Sequence, residues 1–268
     1  VLVAAICMPA SFAADFTTVR VDNVDEYGAI SKRLRYADDK TPIPLSGFSW
    51  DGSVFATIPA ENANRPVEVF STADYQPPSD DESDWYGMLD LAACGVLTGD
   101  SDGKFHPERT VTRAEAAAML VRTLGVAQAD GTQSGYADVP ATAWYAPVVQ
   151  TARECGIISP DTQFRPEALV TREEFAVMTA RAMSYAGLLD MEKAAPTALK
   201  LEDADAISSW AESAYESFGS LIPVSMLTEV QAAESDDPTY LDSYLYYAEP
   251  QKAATRLESA ELIDSCIR

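Results

Sequence analysis

The chain is poor in positive charge and in histidine. Its 268 residues include 19 Lys and Arg against 42 Asp and Glu, which gives a formal net charge of −23, and a single His. Because phosphate binding needs a basic surface, nucleic acid is excluded as the expected partner. One His also argues against a Ser-His-Asp triad or a multi-His metal site. The acidity instead indicates an exposed and highly soluble surface.

Cysteine is also scarce. The four residues are Cys7, Cys94, Cys155 and Cys266, and their spacing matches neither a disulfide framework nor a zinc site. Cys94 and Cys155 each precede a Gly at the end of an apolar stretch, which predicts small buried core residues. The acidic turn at 99–103 does not fit the calcium-binding loop of an EF-hand. Non-acidic residues occupy the first and twelfth positions of the twelve-residue loop that would contain this turn. We therefore predict no metal and no cofactor.

Long apolar runs are almost absent. Residues 1–13 read VLVAAICMPASFA, an apolar stretch that ends in the small-x-small pattern of a signal-peptidase site. This stretch is too short to span a bilayer, so we predict an incomplete signal peptide, with a buried N-terminal strand as the alternative. The mature protein is expected to be exported, without insertion in the membrane.

What the chain does contain is internal repetition. Three segments of 21 residues begin at residues 105, 164 and 248 and read FHPERTVTRAEAAAMLVRTLG, FRPEALVTREEFAVMTARAMS and AEPQKAATRLESAELIDSCIR. In each segment a Pro lies five positions before a Thr. This agreement over three segments indicates a repeated structural unit.

Each repeated segment predicts a capped amphipathic helix. A Glu follows the Thr three positions later, which is the capping-box pattern: the Thr side chain accepts from the N3 amide, and the Glu side chain accepts from the Thr amide. Apolar residues then recur at helical spacing. The three pairs are Thr112 with Glu115, Thr171 with Glu174, and Thr255 with Glu258.

A helical stretch that begins with a Trp precedes each capped helix. The stretches start at Trp85, Trp144 and Trp210, and the first two end at Gly95 and Gly156, where Gly suits a helix C′ position. The unit is therefore helix, loop, helix. We place three such repeats at 70–127, 136–189 and 201–268, the third with an insertion at about 228–246.

Residues 14–68 have a different character. Short alternating runs, such as SVFATI at 53–58, predict a small β-rich segment. We also predict a short helix near residues 22–36.

At this point the repeats resemble the S-layer homology family. The resemblance consists of an aromatic-x-Asp start (which includes Asp138 in repeat 2), a Trp on the first helix, a Gly near its end, a Gly-rich loop and a Thr-Arg-Ala-Glu second helix. Repeat 3 lacks the Gly-rich loop and is degenerate. The resemblance implies a pseudo-threefold helical assembly that holds an exported protein noncovalently on the Gram-positive cell wall.

The resemblance also implies where a ligand binds. In this family the ligand is typically a pyruvylated secondary cell-wall polysaccharide attached to peptidoglycan, held in grooves between repeats. Carried over to this chain, the main candidates are the arginines of the Thr-Arg motifs, and the weaker candidates lie near the Trp, Asp and Gly positions. The ligand-binding candidates are Arg113, Arg172, Arg256, Trp85, Trp144, Trp210, Asp138, Gly95 and Gly156.

The residues themselves supply a rationale for the arginines. Each Arg is the first residue of a capped helix, beside free amide donors and the positive end of the helix dipole. A carboxylate could receive Arg and backbone donors together. The alternative is that these arginines pair with neighbouring acids. For the three Trp residues, packing between helices is the favoured interpretation, with stacking on a sugar as the alternative.

Together these observations predict a mainly α protein of three tandem helix-loop-helix repeats in a pseudo-threefold assembly, with a small N-terminal β-rich segment. Its predicted function is non-catalytic anchoring to cell-wall polysaccharide at the cell surface. Two alternatives stay open. One is a fragment of a wall-active enzyme, and the other is a degenerate repeat protein that acts in protein–protein assembly at the cell surface.

Overall fold

The computed structural model describes residues 16–22, 24, 31–49, 51–74, 86–193, 200–231 and 244–267. The predicted signal peptide at 1–13 and Trp85 lie outside the described residues. Within the described ranges, none of the helices combines the length and the apolar character needed to cross a membrane.

Five short strands build an N-terminal module over residues 16–74, here called the β-module. Strands β1, β4 and β3 form one antiparallel sheet in that order, and β2 pairs with β5 in a second antiparallel sheet. Alternate residues of β4, Val54, Ala56 and Ile58, are buried and pack with Leu34 in a small core of the module's own. The strands are β1 (Phe16–Val21), β2 (Lys32–Tyr36), β3 (Ser46–Ser49), β4 (Ser53–Pro59) and β5 (Val67–Ser71).

The described residues then form six α-helices, two in each repeat. The first helices of the repeats are α1, α3 and α5, and the second helices are α2, α4 and α6. Repeat 3 also contains a hairpin of strands β6 and β7. The elements are α1 (Tyr86–Ala93), α2 (Arg113–Leu124), α3 (Ala146–Glu154), α4 (Arg172–Tyr185), α5 (Glu212–Phe218), β6 (Thr228–Gln231), β7 (Tyr244–Tyr247) and α6 (Arg256–Ile267).

The three repeats contact one another in a closed cycle. The first helix of each repeat packs against the second helix of the repeat before it: α3 against α2, α5 against α4, and α1 against α6. The second helices also contact each other at the centre. One continuous apolar core therefore serves all three repeats.

Three backbone hydrogen bonds close a ring at the centre of this cycle. The amide of Val111 donates to the carbonyl of Ala254 at 3.0 Å, Val170 to Val111 at 3.0 Å, and Ala254 to Val170 at 2.9 Å. All three side chains are buried. Because each residue precedes the capping Thr of its own second helix, the ring ties together the entries to α2, α4 and α6.

The β-module docks on the seam where the cycle closes. Arg33 of β2 is buried, and its Nη2 donates to Asp90 of α1 at 2.6 Å and to Asp264 of α6 at 3.5 Å. A side chain at Gly47 of β3 would place its Cβ 2.8 Å from the carbonyl oxygen of Ile267 at the end of α6. The module therefore contacts both the first and the last helix of the repeat region.

The predicted fold class is wrong. Beside the six helices, the described residues form seven strands in three antiparallel sheets, so the protein is not mainly α with a small N-terminal β-rich segment. The predicted helix near residues 22–36 is also wrong over Lys32–Tyr36, which is strand β2. Charged residues concealed this strand, because the buried Arg33 stands at a core position that a polarity pattern assigns to solvent.

Candidate functional site

Among the cavities lined by described residues, two occupy equivalent places between neighbouring repeats. Groove 1 has a volume of about 270 Å³ and lies between Val96–Thr98 at the end of the first helix of repeat 1, helix α2, and Trp144 of repeat 2. Groove 2 has a volume of about 220 Å³ and lies between residues 157–159, helix α4, and Trp210 of repeat 3. Each groove also receives one predicted arginine from the preceding repeat in the cycle.

In groove 1 that arginine is Arg256. Its Nη2 donates to the carbonyl of Thr98 at 2.5 Å, and its Nη1 donates to Asp100 at 3.3 Å. Arg109 pairs with the same Asp100 at 3.1 Å and with the capping residue Glu115 at 2.7 Å. Burial lowers the pKa of Arg256, and the neighbouring Arg109 lowers it further. The two carboxylates of groove 1 are therefore already held by arginines.

In groove 2 the incoming arginine is Arg113. Its Nε donates to the carbonyl of Phe164 at 2.9 Å, and its Nη1 donates to the capping residue Glu174 at 2.8 Å. Its guanidinium also lies 5.3 Å from the centre of the Phe164 ring, within cation–π range. Arg165, which is 61% exposed, lies on the same rim at 4.0 Å from Glu174.

Each groove also contains an arginine of its second helix that the sequence analysis missed. Arg122 in groove 1 donates to the carbonyl of Val96 at 3.3 Å, and Arg181 in groove 2 donates to the hydroxyl of Ser159 at 3.0 Å. Within the described residues, neither has a carboxylate within salt-bridge distance. Burial lowers the pKa of Arg181, because desolvation disfavours the charged form.

A signal for these two residues was present in the sequence. Arg122 and Arg181 stand at the same position of the aligned second helices, ten residues after the capping Thr, whereas repeat 3 has Ser265 there. A position-by-position comparison of the repeats beyond the Thr-Arg motif identifies these two arginines.

The favoured interpretation of the Trp residues as core is wrong for the two that the structure describes. The side chains of Trp144 and Trp210 are 58% and 52% exposed. Each lies before the first turn of its helix and extends over the groove of the preceding repeat. An indole in this position offers a flat apolar surface beside the arginines.

The argument from free helix amides is also wrong. The amides of Arg113 and Ala114 at the start of α2 donate to the carbonyls of Ala168 and Pro166 at 2.9 Å and 3.0 Å. The amide of Arg172 donates to the carbonyl of Lys252, and that of Arg256 to the carbonyl of Arg109. The donors that a helix start leaves unpaired are thus used to join the repeats, and they are not available to a ligand.

The remaining candidates hold the backbone in place. The two carboxylate oxygens of Asp138 accept from the amides of Phe164 and Arg165 at 2.8 Å and 2.6 Å, and Asp203 does the same for the amides of Ala248 and Glu249. Gly95 and Gly156 have φ values of 74° and 71°, as expected of residues that end a helix.

The third arginine, Arg172, is buried more deeply than the others. Only 2% of its side chain is exposed, and its Nη2 donates to Glu258 at 2.6 Å. Its Nη1 donates to the carbonyl of Ala248 at 3.1 Å. We call this place, between α6 and residues 222–228, the third seam.

Several local predictions are confirmed. Thr112 and Thr171 form complete capping boxes with Glu115 and Glu174. Thr255 and Glu258 exchange the same two hydrogen bonds, at 2.8 Å and 3.2 Å. Cys94 and Cys155 are free and buried, and burial raises the pKa of Cys155 to about 11. Gly103 has a positive φ of 80° in its turn.

The two grooves and their repeated arginines belong to a repeat-built domain, and comparison with known proteins shows which family two of its segments match. The family model of the S-layer homology domain matches residues 79–117 and 135–176. These two segments are S-layer homology repeats, and the resemblance seen in the sequence is confirmed for repeats 1 and 2.

Curated relatives agree with this assignment. The chain is 34% identical over 119 residues to cell surface glycoprotein 1 of Acetivibrio thermocellus, which covers 43% of this chain and 5% of that protein. It is 34% identical over 128 residues to the surface-layer 125 kDa protein of Lysinibacillus sphaericus, covering 47% and 10%. An amylopullulanase of Thermoanaerobacterium thermosulfurigenes is 37% identical over 123 residues, covering 45% and 6%.

The chain thus spans a small part of these relatives, 5% to 10% of their length. The matches to enzymes cover the S-layer homology region alone, so they transfer no catalytic activity to this chain. The S-layer homology repeats and the surface-protein relatives support anchoring at the cell wall, and hence a place at the cell surface, in general terms.

Proposed function

We propose that this chain anchors an exported protein to the cell wall by binding an anionic secondary wall polysaccharide, of the pyruvylated class, in grooves 1 and 2. The observation that carries the proposal is the repeated pair of an exposed Trp and an arginine that has no carboxylate partner among the described residues: Trp144 with Arg122, and Trp210 with Arg181. The pairing recurs although the surrounding residues differ.

The charges of the grooves suit an anionic sugar. In groove 2, Arg113, Arg165 and Arg181 face Asp161 and Glu174, which leaves one positive charge in excess. Groove 2 is therefore locally cationic on a chain of net charge −23. In groove 1, Arg109 holds both carboxylates of the rim, Asp100 and Glu115. The lining arginines Arg122 and Arg256 balance these two acids, and Arg109 lies beside them as one further cation. A carboxylate on a sugar would find a bidentate donor in Arg122 or Arg181.

The size of the grooves suits one unit of a long glycan. Volumes of about 270 Å³ and 220 Å³ lie below the ~300–1,000 Å³ typical of sites that enclose a drug-sized ligand. A sugar ring can stack on the exposed indole while its acidic substituent reaches the arginine. Of the original candidates, Arg113 and Arg256 then serve as walls of the grooves.

The test is co-sedimentation of the mature protein with purified cell walls. One wall sample keeps its secondary polysaccharide, and the other has lost it by acid extraction. We expect binding only to the intact walls. Equal binding to both samples would indicate that peptidoglycan itself is the ligand. Binding to neither sample would contradict wall anchoring.

The grooves themselves are tested by Arg122→Ala and Arg181→Ala. Losing a charge-assisted hydrogen bond of about 1.5–3 kcal/mol corresponds to a loss of roughly 10- to 100-fold in affinity at that groove. Arg122→Lys and Arg181→Lys are the matched controls, which keep the charge but lose the planar fork. Unchanged affinity in both Ala variants would show that the ligand lies elsewhere.

A further inference from the structure

The third seam differs from grooves 1 and 2 in the charges that line its second helix. Helices α2 and α4 carry Arg122 and Arg181 at the groove, but α6 has Ser265 at the same position. One turn earlier, where α2 and α4 have Ala118 and Val177, α6 has Glu261. A cation is thus replaced by a neutral group and an apolar residue by an acid, which disfavours an anionic ligand.

The ion pair of the third seam is also withdrawn from solvent. Its arginine and capping Glu, Arg172 and Glu258, have side chains that are 2% and 8% exposed. The corresponding pair in groove 2, Arg113 and Glu174, has exposures of 15% and 24%. The same residue types at the same positions form the wall of an open groove in one place and a buried pair in the other.

The segment that leads into the insertion of repeat 3, residues 224–228, supplies the cover. A short 3₁₀ helix, Val224–Met226, packs against α6, and Met226 and Leu227 are buried. The chain then enters β6 at Thr228, whose hydroxyl lies 3.4 Å from Nη1 of Arg172 and hydrogen-bonds to Glu249. In repeats 1 and 2 the segment after the first helix leads directly into the loop between the two helices. The second helix of these repeats therefore faces a groove.

Glu249 completes the closure. Its Oε2 lies 3.4 Å from Nη1 of Arg172, whereas the corresponding residues of repeats 1 and 2 are His106 and Arg165. The hydrogen bond from Thr228 holds the pKa of Glu249 below its ordinary value, so the carboxylate is charged at neutral pH. A carboxylate from the chain itself therefore stands beside the arginine.

We infer that the chain closes its own third seam with residues 224–228 and Glu249, so that the described part of the domain offers two glycan-binding grooves and not three. The number of grooves rests on the proposed function, whereas the closure of the seam does not. The two parts are therefore tested separately.

Closure is tested without any ligand, by labelling the native full chain with the arginine reagent phenylglyoxal and mapping the products by mass spectrometry. We expect Arg122 and Arg181 to react at least about tenfold faster than Arg172, because the reagent reaches buried groups only through opening of the fold. All three should react alike in urea. Native labelling of Arg172 at the rate of Arg181 would overturn the closure.

The number of grooves is tested by calorimetric titration with a methyl hexoside that carries a 4,6-linked pyruvate ketal. We expect saturation at two sugars per chain, at one for either Arg122→Ala or Arg181→Ala, and no binding by the double variant. Three sites in the native chain, or a site that survives in the double variant, would overturn the inference. If the native chain does not bind this sugar, the proposed ligand fails, and the labelling alone decides whether the seam is closed.

Discussion

Groove 2 and the third seam begin from the same motif and end in opposite states. Arg113 and Arg172 are both the first residue of a capped helix, and both pair with the capping Glu of the next repeat in the cycle. In groove 2 the pair borders a cavity beside an exposed Trp210. In the third seam the pair is buried beneath residues 224–228. The motif thus determines how neighbouring repeats contact each other. The surrounding segments decide whether an open groove lies at that contact.

The comparison also separates two roles for arginine. The arginines of the Thr-Arg motif join repeats, because their side chains reach a carbonyl or a carboxylate of the neighbouring repeat. Arg122 of α2 and Arg181 of α4 contact no carbonyl or carboxylate of a neighbouring repeat within the described chain. An anionic ligand is expected to bind more strongly to Arg122 and Arg181, because the charge of an arginine that already pairs with a carboxylate is partly neutralised.

The largest expected effect is on stability, from Arg172→Ala. Removing one partner of a buried ion pair leaves Glu258 charged and buried, which costs about 3–5 kcal/mol. Urea unfolding should show this loss. Arg122→Ala, at a partly exposed arginine with no carboxylate partner in the described chain, is the matched control and should lower the free energy of unfolding by less than about 1 kcal/mol. Similar losses in both variants would contradict the distinction between seam and groove.

The next effect is on binding, from Trp144→Ala and Trp210→Ala. Covering about 40–60 Å² of indole with a sugar is worth roughly 1–1.5 kcal/mol, or about a five- to tenfold change in affinity for wall polysaccharide. Because both side chains are more than half exposed, thermal stability should change little. Trp144→Phe and Trp210→Phe keep an aromatic face and are expected to retain most of the affinity. Full affinity in the Ala variants would exclude stacking.

A smaller effect concerns acid stability at groove 1. Burial would raise the pKa of Glu115, but hydrogen bonds from Arg109 and Thr112 outweigh it and hold the pKa below its ordinary value of 4.5. The charged carboxylate therefore stabilises the fold above about pH 5, and this contribution is lost as pH falls through the lowered pKa. Glu115→Gln should reduce the loss of stability on acidification, measured by urea unfolding at several pH values. An unchanged pH dependence would contradict the coupling.

The smallest expected effect is that of salt on wall binding. The net charge of −23 repels an anionic glycan at long range, whereas the arginines attract it within the groove. Added salt screens the first interaction more than the second. Between about 50 and 200 mM NaCl we therefore expect co-sedimentation to rise or to stay nearly constant. A steep fall would indicate that exposed charges, and not the grooves, hold the protein on the wall.

Local sequence patterns predicted the second helices well. The capping boxes at Thr112, Thr171 and Thr255 form as expected because both partners lie within one turn of chain. The strand at 53–58 follows for the same reason, since its alternating pattern is local. Strand β2 was missed because Arg33 finds its partners, Asp90 and Asp264, far away in the sequence.

By itself the sequence determined the repeats, their caps, the family and the expectation of wall anchoring, since all of these depend on residues close together in the chain. The tertiary structure alone decided how each repeated residue is used. It used the helix amides for contacts between repeats, exposed Trp144 and Trp210, and buried Arg172 beneath residues 224–228, whose position local patterns do not predict. The reason is physical: burial and pairing are set by segments from different repeats, which meet only when the cycle closes.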